Sequence, residues 1–125
     1  MAFKISLDGE RRLVIVLATG VMDVSNAAVM VTEARTVAVK EGFNILYDFR
    51  DARPGDVKNT DVFWFPRNLP VLSAPSAGRT RTALLHRPPE RELSRFWETA
   101  FSNVGLQARA FESESEAYAW LAEKA

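Results

Sequence analysis

The chain opens on a strict alternation. Phe3, Ile5 and Leu7 are separated by polar neighbours, the pattern of a strand with one face in water. Asp8-Gly9-Glu10 reads as a tight turn, with Gly9 expected to take a positive φ. "LVIVLA" (Leu13 to Ala18) is apolar on both faces, as in a strand covered from two sides, and completes a hairpin. From Asp23 the period changes. Ala27, Met30, Val31, Ala34, Val37 and Ala38 recur at three- and four-residue spacings, which predicts an amphipathic helix. Asp23 or Ser25 is expected to cap its start and Gly42 to end it. "FNILYDF" is a third strand.

Residues 56–78 carry the weakest pattern. "NTDVFWFPRNLPVL" predicts a short helix from about Thr60 that Pro66 and Pro70 kink or break, and "SAPSAG" reads as a loop. "RTALLH" (Arg81 to His86) is a fourth strand. Pro88 and Pro89 stand at the start of the clearest helix, with Glu90 and Glu92 at its positive end. Leu93, Phe96, Trp97, Ala100 and Val104 form its predicted core stripe, and Gly105 stops it. "LQARAF" is a fifth strand. Ser113 and Glu116 are spaced as a capping box for a last helix that buries Ala117, Trp120 and Leu121.

The order ββαβαβαβα predicts one α/β domain spanning residues 1–125. Its sheet should have four to five strands, mixed but mostly parallel, with flanking helices. Composition narrows the partners. Sixteen basic residues balance sixteen acidic ones, which argues against a nucleic-acid binder. There is no cysteine, so disulfides and thiol chemistry are excluded. The N-terminus lacks the apolar core of a signal peptide, and no apolar run approaches membrane-spanning length. A cytoplasmic location without a membrane span is the expectation.

The element order and the last third of the chain, "RTALLH…FWETAFSNVGLQARAFESESEAYAWL", resemble the SpoIIAA-like proteins of the STAS superfamily. Those proteins tend to show a helix F-x-E-T-x-x-x-N-x-G, a strand ending in V-F and a closing E-A-x-x-W-L. The matching residues here are Phe96, Glu98, Thr99, Asn103, Gly105, Phe111, Glu116, Ala117, Trp120 and Leu121. The resemblance implies the STAS-like fold, and a role in partner binding, regulation or small-ligand binding rather than an activity. CRAL-TRIO domains, distant relatives of similar build, hold apolar ligands. Anti-anti-sigma members carry a phosphorylated serine just after the third strand. This sequence departs there, since the first hydroxyl after Asp48 is that of Thr60.

Three groups are candidates for function. The first is the charged stretch after the third strand, read as a loop at the carboxyl edge of the sheet, where ligands of parallel sheets bind. Asp48, Arg50, Asp51 and Arg53 would form a polar rim there, with the arginines as donors to an anion or a partner side chain. The plainer reading is favoured: Asp48 bonds nearby backbone and the arginines pair with surface carboxylates. The second is His86, the single histidine, which with Asp48 one strand away would suit a general base. No nucleophile or electrophile stabiliser accompanies it, so this enzymatic reading ranks last, and no metal-ligand spacing or cofactor motif is present. The third is Phe63, Trp64 and Phe65, followed by Leu69. Three consecutive aromatics cannot all face one core from a short helix, so at least one is expected to meet solvent, a ligand or a second subunit. The sequence therefore predicts a non-enzymatic binding or regulatory module, a homodimer meeting partners through Phe63–Leu72. The alternative is a carrier of a small apolar or amphipathic ligand.

Overall fold

The computed structural model describes residues 1–123. Five strands, β1 (Ala2–Asp8), β2 (Leu13–Met22), β3 (Asn44–Pro54), β4 (Arg81–Leu85) and β5 (Gln107–Phe111), form one sheet in the order β1-β2-β3-β4-β5. β1 is antiparallel to β2, and the remaining pairs are parallel. Four α-helices accompany them: α1 (Val24–Glu41), α2 (Asn59–Asn68), α3 (Arg91–Ser102) and α4 (Glu114–Ala122).

The strand order dictates the layers. Three successive right-handed crossovers that step the same way along a sheet put their helices on the same face. Val14, Val16, Ile45, Tyr47 and Leu84 accordingly pack with Met30 and Ala34 of α1, Phe65 of α2 and Phe101 of α3. α4 follows the last strand and closes the opposite face, where Ala117 and Leu121 meet Leu13, Leu46, Ala83 and Leu85. The fully apolar character of β2 follows from these two layers.

The local signals act where expected at most boundaries. The Asp23 carboxylate accepts from the Asn26 N–H at 2.8 Å, and Gly42 ends α1 with φ 70°. Ser113 accepts from the Glu116 N–H at 3.3 Å at the start of α4. Elsewhere the structure corrects the expectation. In the β1–β2 turn the positive φ falls on Arg12, at 55°, instead of Gly9. Asp8 takes over the turn by accepting from the Arg11 N–H at 3.0 Å. Pro66 does not break α2, which runs on to Asn68. Pro70 does end it, and two 3₁₀ turns (Pro70–Ser73 and Pro75–Arg79) replace the predicted loop. In α3 the core position is Phe101, buried with Ala100, while Phe96 is only half-buried.

The largest departure concerns the charged stretch. It is not a loop. β3 continues through it to Pro54, with Asp51, Ala52, Arg53 and Pro54 paired to Thr19, Gly20, Val21 and Met22 of β2. One extra residue is accommodated between Asp48 and Asp51, opposite Leu17 and Thr19. That bulge shifts the alternation of the strand. Tyr47 and Phe49 face the α1–α3 layer, and beyond the bulge the next buried residue is Ala52 instead of Asp51. A tandem of charges that looks like a solvated loop is therefore a two-stranded extension with one apolar residue turned inward.

Candidate functional site

Because the strand order never reverses, this sheet has no topological switch point of the kind that opens a crevice at the strand ends. The opening lies instead between sheet and helices. The β2–β3 extension projects beyond β4, whose last partner on β3 is Asp48. Under it sits a cavity of about 60 Å³. Tyr47 and Leu84 form its floor, Ala27 and Met30 of α1 one wall, and Phe65, Trp97 and Phe101 another. Met22 and Ala52 cover it from the extension. Arg53 and Pro54 are exposed lining residues and mark its mouth. A water needs roughly 10–15 Å³ on such a scale, so the space holds more than one.

The aromatic wall is ordered. Phe65 and Trp97 meet edge to face at 5.0 Å between centroids, as do Trp97 and Phe101 at 6.0 Å. Tyr47 stacks on Phe49 at 5.7 Å. Such contacts hold aromatic rings in fixed orientations.

Several polar atoms of the lining residues are fully buried and have few partners. The Tyr47 hydroxyl, the Trp97 indole Nε1 and Glu90 Oε2 are buried and accept or donate no hydrogen bond within the protein. Glu90 Oε1 does accept from Arg87 Nη2 at 2.5 Å. His86 is 4% exposed. Its Nδ1 lies 2.8 Å from the Arg87 carbonyl, which can only accept. Nδ1 therefore carries a proton and donates to that carbonyl. Burial pushes the Tyr47 hydroxyl up to about 12, against a smaller opposing pull from the Arg35 guanidinium, so it stays protonated.

Arg35 was not foreseen as buried. It lies in the α1 stripe, 1% exposed, with no carboxylate paired to it among the described residues. Nη1 donates to the Ala77 carbonyl at 3.3 Å and Nη2 to Thr82 Oγ1 at 2.8 Å, while Nε has no partner. Burial pulls its pKa below the ordinary arginine value. The guanidinium ties α1 to the 3₁₀ turn and to β4 behind Tyr47.

The predicted site residues separate into three places. His86, Arg53 and Phe65 come together at the cavity. Asp48 and Arg50 lie apart from it. Arg50 Nε and Nη2 donate to the two Asp48 oxygens at 3.0 and 2.8 Å, and Nη2 reaches Glu114 of α4 at 3.1 Å. Burial raises the Asp48 pKa, but the Arg50 side-chain and backbone hydrogen bonds outweigh this and bring it below the ordinary value. The pairing of Arg50 is thus with Asp48 itself. Asp48 shares the sheet face of Leu46, under α4, whereas His86 lines the cavity on the other face. No hydrogen bond joins them, and the histidine–aspartate pair considered from the sequence does not form. Asp51 is exposed on the extension.

The three aromatics divide as the sequence argument requires. Phe65 is 5% exposed, Phe63 39% and Trp64 54%. Arg67 covers the Phe63 ring at 4.0 Å. Trp64 and Leu69 line a shallow surface groove between α1 and α2. The residues that sequence reasoning missed at the cavity are Met22, Tyr47, Ala52 and Glu90; Ala27, Met30 and Trp97 were read as core. No motif marks them, because a cavity wall has the composition of a core.

Among the described residues no cluster of three or more histidines, cysteines or carboxylates is arranged to hold a metal ion, and no helix is long and apolar enough to cross a membrane.

No family model matches the chain, and no curated protein matches it. Among solved structures it is similar to an uncharacterised protein of the DUF3478 family with a SpoIIAA-like fold, from Shewanella loihica PV-4. The TM-score is 0.58 at 15% identity, over 96% of this chain and 92% of the other. The chain therefore has the SpoIIAA-like fold that its element order and its last third implied. At that identity the likeness carries the fold alone.

Proposed function

We propose that this protein is a non-enzymatic binding module whose ligand is a small molecule with an apolar body, held in the cavity beneath the β2–β3 extension. One observation carries the reading. The cavity is walled almost wholly by apolar and aromatic side chains, yet it opens to solvent beside Arg53 and Pro54. Pockets for small molecules have this make-up, apolar walls with a few placed polar groups. The volume sets a limit on the occupant. At about 60 Å³ the enclosed part takes a few heavy atoms, so a long acyl chain does not suit it. The absence of a His86–Asp48 contact removes the arrangement on which an acid–base mechanism would rest. The cytoplasmic location expected from the sequence goes with this reading.

Native mass spectrometry of freshly purified protein at low ionic strength tests it. Added mass of a small organic molecule that is lost on denaturation is the expected result. Protein of bare mass that also fails to take up any of a panel of small aromatic compounds would overturn the reading.

A second reading rests on a different surface. Trp64 and Phe63 stand exposed on α2, and Val29 on α1 is exposed as well. Exposed aromatic clusters serve as contacts between subunits or with partner proteins. On that reading the protein is a homodimer, and Trp64→Ala converts it to a monomer in analytical ultracentrifugation. A wild-type protein that is already monomeric at high concentration contradicts it.

A further inference from the structure

Helix α1 carries apolar residues on both faces. Ala27, Met30, Val31, Ala34 and Ala38 are buried against the sheet. Val29, Thr32, Thr36 and Val39 point the other way and are exposed, Val29 at 53% and Val39 at 50%. A surface helix ordinarily turns a charged face to water. Here the four outward residues are β-branched and stand at spacings of three, four and three, the spacing of a seam along which two helices pack. The Thr36 hydroxyl donates to the Thr32 carbonyl at 2.8 Å, one turn back, so its hydrogen bond is made within the helix.

Two exposed charges, Glu33 and Lys40, border this seam. They are seven residues apart, close to two full turns, so they lie on the same flank of the helix. Neither takes part in an ion pair among the described residues.

That placement is self-complementary. In two copies of α1 packed antiparallel about a two-fold axis at Thr36, residues equally far before and after Thr36 come level. Thr36 then meets Thr36 of the second copy, and Val29 comes level with Phe43, which is half-buried just past the end of α1. The two-fold axis maps each flank onto itself. Glu33 of each copy therefore stands on the flank of Lys40 of the other, within about 1.5 Å of level, the rise of one residue. Two ion pairs form by symmetry. Opposite charges set three and four residues either side of one uncharged residue are what a two-fold contact needs; a contact with a different protein makes no such demand.

We propose that the outward face of α1 is a contact between two copies of this chain, antiparallel about Thr36. The proposal rests on the homodimer reading and goes beyond it by giving the axis and the ion pairs. The face adjoins the groove of Trp64, which Ala28 of α1 also lines. One pair of helices makes a small interface, so the association is weak and depends on concentration.

Sedimentation equilibrium of the full chain over a concentration series, at low ionic strength, tests this. Wild type is expected to show a reversible monomer–dimer equilibrium. Glu33→Lys and Lys40→Glu are each expected to weaken it about tenfold or more, because each change turns two attractive pairs into two repulsive ones. An equimolar mixture of the two variants is expected to recover dimers, now of one variant with the other, and the double variant Glu33→Lys/Lys40→Glu to recover them alone. Both positions are on the exposed surface of the helix, so the variants keep the fold. Charge reversals that leave the dimer unchanged, or a mixture that fails to recover it, overturn the α1 contact; the homodimer reading then stands if Trp64→Ala dissociates the protein. Wild type that is monomeric throughout overturns both.

Discussion

Replacing Tyr47 by phenylalanine removes one oxygen and tests how the cavity is maintained. The residue is 1% exposed and its hydroxyl, beside the Arg35 guanidinium, meets no acceptor for its proton in the protein. The ring makes the packing contacts, stacking on Phe49 at 5.7 Å, and phenylalanine keeps that geometry. An ordinary buried tyrosine with a good hydrogen bond loses about 1 kcal/mol on this change. A hydroxyl buried without a partner costs about 1–3 kcal/mol instead. Removing it relieves that cost, so the expected outcome is a protein as stable as wild type or more so, by up to about 1–2 kcal/mol. For a chain of this length that is a rise of roughly 3–8 °C in Tm. Urea titrations read the effect as a higher midpoint at unchanged slope, since the surface exposed on unfolding hardly changes. A loss of 1 kcal/mol or more would refute the reasoning, because it would mean the hydroxyl is well bonded in the ligand-free protein.

The remaining predictions follow from the same geometry. Tyr47 is neutral in the fold up to about pH 12, against about 10 in the unfolded chain. Ionisation of Tyr47 therefore does not affect stability below pH 10 and favours the unfolded chain as the pH rises towards 12; the fall in stability across that window should be steeper for wild type than for Tyr47→Phe. Ala27→Leu puts a branched side chain from α1 into the cavity and is expected to abolish probe binding in calorimetric titration while the protein still unfolds cooperatively. Arg50→Ala should lower stability by about 1 kcal/mol or less in urea titrations, because Arg50 and Glu114 are exposed and only Asp48 is mostly buried. Gly55→Ala should cost considerably more, since a Cβ there would stand 3.0 Å from the Met22 carbonyl oxygen and 3.0 Å from Val21 Cγ1.

The layered fold was readable because its signals are local and independent. The Leu13–Ala18 run, the α1 stripe and the caps at Asp23, Gly42 and Ser113 each specify an element, and the right-handed crossover then fixes the layers. The site was less readable. The bulge between Asp48 and Asp51 depends on pairing with β2, which is distant in sequence, so the charges that follow it read as a loop. Arg35 falls on the apolar stripe of α1, but a single arginine there reads as a solvated side chain, and its acceptors at Ala77 and Thr82 lie more than forty residues away. The division of Phe63, Trp64 and Phe65 was foreseen in kind; which ring turns inward was decided by the packing of α2 on α3. His86 follows directly on β4, as the sequence suggested, but Asp48 lies inside β3, which runs on to Pro54. Their parity, which sends them to opposite faces, rests on one residue of register.

The central claim is that the space beneath the β2–β3 extension admits a ligand, and the methionines report on it directly. The chain has three, of which Met22 and Met30 line the cavity and Met1 does not. Labelling their methyl carbons with ¹³C gives three signals to follow as each of a panel of small apolar compounds is added. The account predicts saturable shifts of the Met22 and Met30 signals, a stationary Met1 signal, and no response in Ala27→Leu. Signals that do not move, or that all move together without saturating, would contradict it.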